Sequence, residues 1–192
     1  MEQIRSFIAI ELPDDLKSLL DRLETQLKAE KQPWVKWVSP GSIHLTLKFL
    51  GSIPVDKTIE ITGAIEEATQ GISPIHLKVE GLGVFPNPRM VQVAWVGVSG
   101  EVEKLKRLQR HIDARLSRLG FAPESRPFTP HLTMARLSSR VLPDERSRFG
   151  QLVTSTKFAA CPVEVNNVSL MKSQLSREGA IYSRISLTKL AQ

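Results

Sequence analysis

PHLTMAR (130–136) is the stretch on which the reading of this chain turns. It repeats, 87 residues on, the His-Leu-Thr of HLTLKFLG (44–51), and these are two of only four histidines in 192 residues. Successive side chains of a strand point to opposite faces, so His44 and Thr46 share one face and Leu45 and Leu47 the other. His131 and Thr133 stand in the same way against Leu132 and Met134. The apolar faces belong in a core, and the His-x-Thr faces look into something polar. For one copy, a solvated sheet surface is explanation enough. Two copies at matching places point to a shared site.

Working outward, the surroundings of the tripeptide repeat too. RSFIAIEL (5–12) reads as a buried strand, followed by a helix capped by Asp14 and Asp15 with Leu16, Leu19, Leu20, Leu23 and Leu27 on one face. IHLTLKFL (43–50) is a strand. Pro54 opens a helix with Ile61, Ala64, Ile65 and Ala68 inward and Gly71 at its end, and IHLKVEGLGVF (75–85) is a strand. The second half reads MVQVAWVGV (90–98) as a strand, then a helix with Val102, Leu105, Leu108, Ile112, Leu116 and Leu119 inward, stopped by Gly120. HLTMARL (131–137) is a strand, Pro143 opens a short helix, and VEVNNVSLM (163–171) and AIYSRISLTKL (180–190) are strands joined by a turn in SQLSREG. His44 and His131, Pro54 and Pro143, and Pro74 and Pro162 keep nearly one offset. The expectation is an internal duplication, with approximate repeats 5–85 and 90–190. The fold class is α+β: two pseudo-symmetric lobes of antiparallel sheet with outer helices around a central cleft, in one two-lobed domain over 1–192.

Composition bounds the function. Hydrophobic residues make 41% of the chain and charged residues 24%, as in soluble globular proteins, and no apolar run nears the roughly 20 residues of a membrane span. The start, MEQIRSFIAIELPDD, lacks the pattern of a signal peptide. Cys161, the only cysteine, makes neither an internal disulfide nor a cysteine zinc site. A cytoplasmic setting is expected, and the sequon at Asn167 reads as chance. A net charge of +6 favours anionic partners such as phosphate and nucleic acid. GxxxxGK[ST], GxGxxG and HExxH are all missing, so no cofactor and no metal are expected.

Paired His-x-Thr faces suit displacement at phosphorus. The nucleophile enters on one side of the phosphate and the leaving oxygen departs on the other, so two histidines serve as base and acid. An ordinary histidine pKa of about 6.5 permits both roles near neutrality. Threonine hydroxyls donate to the non-bridging oxygens, where charge accumulates. Symmetry alone does not say which histidine is which. His76 and His111, with no Thr two residues on, read as surface or structural. Lys104, Arg107, His111, Arg115 and Arg118 read as the solvated face of the third helix rather than an RNA track.

RSFIAIELP, W-V-x-x-x-x-I-HLTLKFLG, GLGVFPNPR, RPFTPHLTMAR and VSLMKSQLSREGAIYSRI together resemble the two-histidine phosphoesterase superfamily. Within it they resemble the RNA 2′,3′-cyclic phosphodiesterases, once named 2′-5′ RNA ligases, over nearly the whole chain. The resemblance implies a V-shaped cleft and metal-free hydrolysis of an RNA 2′,3′-cyclic phosphate to a 2′-phosphomonoester. It implies His44 as proton donor to the leaving oxygen and His131 as the base that activates water. Thr46 and Thr133 become phosphate ligands. Arg136 joins them only if the strand ends or bulges after His131, because an ideal strand turns it away. Phe49 holds the equivalent place in the first motif, where core packing is expected over stacking on a base. Arg126 and Trp37 flank the motifs. The implied partner is RNA with a cyclic phosphate end, tRNA fragments among the candidates. A monomer is expected because the lobes complete each other within one chain and no second exposed apolar stripe is seen, and no membrane partner is expected because no apolar run is long enough to span one. Two further functions stay open: 2′-5′ RNA ligation by the reverse reaction, and an RNA- or nucleotide-binding module without turnover.

Overall fold

A computed structural model describes residues 2–28, 32–176 and 179–191. Strand β1 (Gln3–Glu11) leads into helix α1 (Asp14–Leu27). The short β2 (Val35–Trp37) precedes β3 (His44–Pro54), helix α2 (Lys57–Thr69) and β4 (Ile75–Phe85). The second half runs β5 (Val93–Gly100), α3 (Val102–Arg118), β6 (His131–Leu137), α4 (Pro143–Ser155), β7 (Cys161–Val165), β8 (Asn167–Ser176) and β9 (Gly179–Lys189).

The strands form one antiparallel sheet in the order β7-β4-β5-β6-β3-β1-β8-β9, with β2 paired to β6. Its two wings meet where β3 and β6 pair at Leu45 and Leu132. Each wing therefore has a His-x-Thr strand at its inner edge, flanked by β1 on one side and β5 on the other. The chain crosses between wings. β4 lies beside β5, and β8 lies beside β1 and carries β9 with it, so each half of the sequence supplies strands to both wings.

One face of this sheet is the core. Leu45, Leu47, Leu132 and Met134 are buried there with Leu16 and Leu20 of α1, Ile61 and Ile65 of α2, and Leu105 and Leu108 of α3. Full burial of such a side chain contributes about 1.5–3 kcal/mol, and Leu132 has no exposed surface. The helices thus hold down the leucine face and leave the histidine face open. A second cluster sets Phe149 of α4 against Val35, Val84 and Ala94.

Several expectations are corrected. Asp14 and Asp15 occupy the first turn of α1 but Pro13 is its N-cap, and Leu19 is exposed. Pro54 ends β3 instead of opening α2; the Asp56 carboxylate caps that helix by accepting from the Lys57 N–H. Residues 90–92 lie outside β5. The stretch 163–171 is two strands, broken at Asn166, which pair at opposite ends of the sheet. Ser173–Ser176 extend β8 against β9, while residues 177–178 of the expected turn lie outside the described residues. No helix among the described residues is long and apolar enough to cross a membrane.

Candidate active site

The open face holds a cleft of about 720 Å³ lined by both His-x-Thr motifs, among other residues. His44, Thr46, His131 and Thr133 are all half-buried, as period-two alternation requires. Because β3 and β6 run antiparallel through the Leu45–Leu132 pair, His44 stands level with Thr133 and Thr46 with His131. The histidines are diagonal to each other about that pair.

Each imidazole is held in the same way. His44 Nδ1 lies 2.8 Å from the Ser42 carbonyl oxygen, and His131 Nδ1 lies 2.8 Å from the Thr129 carbonyl oxygen. A carbonyl only accepts, so Nδ1 carries the proton and donates. That fixes the tautomer and leaves Nε2 as the working nitrogen of both rings: an acceptor when the ring is neutral, a donor when it is charged. Aromatic side chains pack against each ring. Phe7 stacks on His44 with centroids 4.6 Å apart, and Tyr182 meets it edge-on at 5.1 Å. Phe85 meets His131 edge-on at 5.1 Å, and Trp95 lies 6.5 Å away. Gly83 is required by the latter pair, because a Cβ there would come within 2.2 Å of the Trp95 ring.

Burial pushes the His44 pKa below the ordinary histidine value, while its bond to the Ser42 carbonyl and the charge of Glu11 pull it partly back. Glu11 pairs with His44 in the β1–β3 register. Its carboxylate accepts from Arg184 Nε at 2.6 Å, Arg184 Nη2 at 3.0 Å and Ser169 Oγ at 2.5 Å. Arg184 holds the Glu11 carboxyl below its usual pKa, so the charge beside His44 persists at neutral pH.

Two bulges complete the site. The β1–β3 register slips past Leu47, and the β5–β6 register slips past Met134 at the equivalent place. After each slip the alternation reverses, so position 49 and position 136 turn toward the cleft. Arg136, which an ideal strand would turn away, lines the cleft and has no ion-pair partner among the described residues. Phe49 lines it as well and is 66% exposed, which overturns the expectation of core packing. Arg126 is a lining residue too. Trp37 is structural: it packs on Phe149 at 6.0 Å and carries the Lys28 ammonium over its ring. His76 and His111 are exposed and outside the cleft.

The first bulge has a second product. Lys48 turns inward and becomes a buried cation, ion-paired with Asp113 of α3 and donating to the Ala122 carbonyl at 2.9 Å. Asp113 in turn accepts from the Glu124 N–H at 3.2 Å. These bonds tie β3 and α3 to the loop that carries Arg126 and the Thr129 carbonyl. Among the described residues no three His, Cys, Asp or Glu side chains gather as a metal-binding group.

Comparison with known proteins agrees with this architecture. The family model described as LigT like Phosphoesterase matches twice, at residues 10–95 and 96–182. The RNA 2′,3′-cyclic phosphodiesterase of Methanothermobacter thermautotrophicus is 33% identical across 98% of this chain and 100% of its own length. That of Methanocaldococcus jannaschii is 31% identical across 95% and 98%. In shape, the chain is similar to Escherichia coli LigT complexed with 3′-AMP, with a TM-score of 0.80 over all of both chains at 22% identity.

Proposed function

The chain belongs to the LigT like Phosphoesterase family, and from that premise we propose that it hydrolyses the 2′,3′-cyclic phosphodiester end of RNA to a 2′-phosphomonoester without a metal. The observation that carries this reading is the matched pair of imidazoles, each with Nδ1 committed to a backbone carbonyl and Nε2 left for the cleft. Two imidazoles whose Nε2 accepts a proton when the ring is neutral and donates one when it is charged suit proton transfer on both sides of one phosphorus.

In the proposed cycle the cyclic phosphate sits between the motifs. Thr46 and Thr133 donate to its non-bridging oxygens, and Arg136 supplies charge as negative charge builds there. Neutral His131 takes a proton from water as the water oxygen attacks phosphorus. Protonated His44 gives its proton to O3′ as the P–O3′ bond breaks, leaving the phosphate on O2′. A phosphate anion in the cleft favours the imidazolium form that His44 needs, against the burial that disfavours it. The approximate repeats 5–85 and 90–190 fit a duplicated ancestor with one tool on each side of the substrate.

The pH dependence of kcat/KM on a short cyclic-ended RNA, in excess EDTA, tests this reading. A bell is expected, with one limb set by His44 and lying below the ordinary histidine value of about 6.5. Glu11→Gln is expected to move that limb to lower pH, because it removes an anion that favours imidazolium and leaves the Arg184 cation unpaired nearby. A profile flat in pH, or one that EDTA abolishes, contradicts the proposal.

A further inference from the structure

Lys36 and Arg136 stand directly opposite each other in the β2–β6 register. Opposite residues of an antiparallel pair point to the same face, with Cβ atoms about 4.5–5.5 Å apart. Here that face is the one that forms the cleft. Val35 and Trp37, on either side of Lys36, pack with Ala135 against Phe149 of α4, so Lys36 turns the other way. Val38, two residues on, lines the cleft, as does Arg136. Like charges directly opposite on a strand pair destabilise it, and neither cation has an ion-pair partner among the described residues. An anion held between them relieves that repulsion. The position is set by β2, which takes over from β3 as the partner of β6 on the side away from β5. His44 stands level with Thr133 and Lys36 with Arg136, and on β5 those levels are Trp95 and Val93. Two residues of strand separate them, about 7 Å. Lys36 therefore lies on the His44 side of β6, further out toward the rim.

We infer that Lys36, together with Arg136, forms a second phosphate site, which holds the phosphodiester immediately 5′ of the cyclic end of an RNA chain. The inference rests on the proposed function. With His44 protonating O3′, the terminal ribose lies beside His44, and its 5′ oxygen carries the next phosphate outward. Lys36 is the cation on that side, on the same face and one step beyond. The forked guanidinium of Arg136 has five N–H donors, enough to serve the reacting phosphate and its neighbour together. Lys36 is a compact point charge with one anion to meet. The pair thus distinguishes the end of a chain from a free nucleoside 2′,3′-cyclic phosphate, which has no phosphate at that place. Phosphate contacts carry no base information, so the preference is for a chain and not for a sequence.

The test compares a dinucleotide bearing a 2′,3′-cyclic phosphate end with the same dinucleotide whose internal phosphodiester is replaced by an uncharged methylphosphonate. Wild type is expected to favour the charged form in kcat/KM by up to about fivefold at low salt, the worth of one exposed ion contact. Lys36→Ala should erase most of that preference, and Lys36→Arg should keep it. Lys36 is exposed and Lys36→Ala relieves the repulsion across the strands, so the variant is expected to fold. Equal rates on the two forms in wild type, or a preference that Lys36→Ala leaves intact, overturn the inference. Equilibrium binding of the matching dinucleotides ending in a 2′-phosphate gives a readout without turnover. The salt slope of wild-type binding to the charged form should be steeper than that of Lys36→Ala by about 0.7, the share of one phosphate in a single strand. If turnover fails while wild type holds the charged form more tightly and Lys36→Ala does not, the proposed reaction is wrong and the phosphate site remains. If wild type binds both forms equally, the phosphate site is wrong.

Discussion

His44→Ala and His131→Ala are each expected to lower kcat/KM on a cyclic-ended RNA by about 100- to 10,000-fold, the range in which a positioned acid or base contributes. Both side chains are half-buried and held by a backbone carbonyl, so removing either leaves the strand pairing intact. The double variant should lose little more than either single one, since groups that act in one step are not additive. The two roles are separable by leaving group. An aryl phosphodiester expels its phenolate without a donated proton, so His44→Ala should recover much of its deficit on that substrate while His131→Ala should not. A single variant within tenfold of wild type would contradict the pair, and recovery in His131→Ala instead would exchange the roles.

Lys48→Ala carries the second large effect, on stability. The Lys48 side chain is 2% exposed and Asp113 18%, so the substitution strands a largely buried carboxylate and frees the Ala122 carbonyl. Breaking one side of a buried pair costs about 3 kcal/mol. For a chain of this size that corresponds to a melting temperature lower by about 6–12 °C. Thermal unfolding checks it, with Lys48→Met combined with Asp113→Leu as control. The double change removes both charges and is expected to restore most of the loss. A single variant within about 0.5 kcal/mol of wild type would place Lys48 among ordinary surface positions.

The face of each His-x-Thr was legible from its sequence, because a period of two and two flanking apolar residues are local facts. Leu45 and Leu132 are buried, and the four polar side chains line the cleft, as that pattern implies. The helix faces of α2 and α3 were legible for the same reason. The bulges were not. Leu47 and Met134 are ordinary strand residues, and nothing in LTLKF or LTMAR marks a slip; only the partner strands reveal it. That is why Phe49 read as core and why Lys48 went unnoticed. The aromatic partners of the histidines were hidden too, since Phe7, Tyr182, Phe85 and Trp95 come from four strands that pairing brings together. Glu11 and Arg184 meet across 173 residues of chain. The break at Asn166 has a local mark in the Asn166-Asn167 pair, since asparagine is depleted in strands, but the pairing of the two pieces in different wings of the sheet is what shows two strands.

The central claim is ring opening by two histidines. Phosphorus NMR of the product of a short RNA with a 2′,3′-cyclic phosphate end, incubated with the protein in excess EDTA, tests it most directly. The expected result is a 2′-phosphomonoester made by wild type and by neither His44→Ala nor His131→Ala. A 3′-phosphomonoester, no product from wild type, or product from either variant at the wild-type rate would contradict the account.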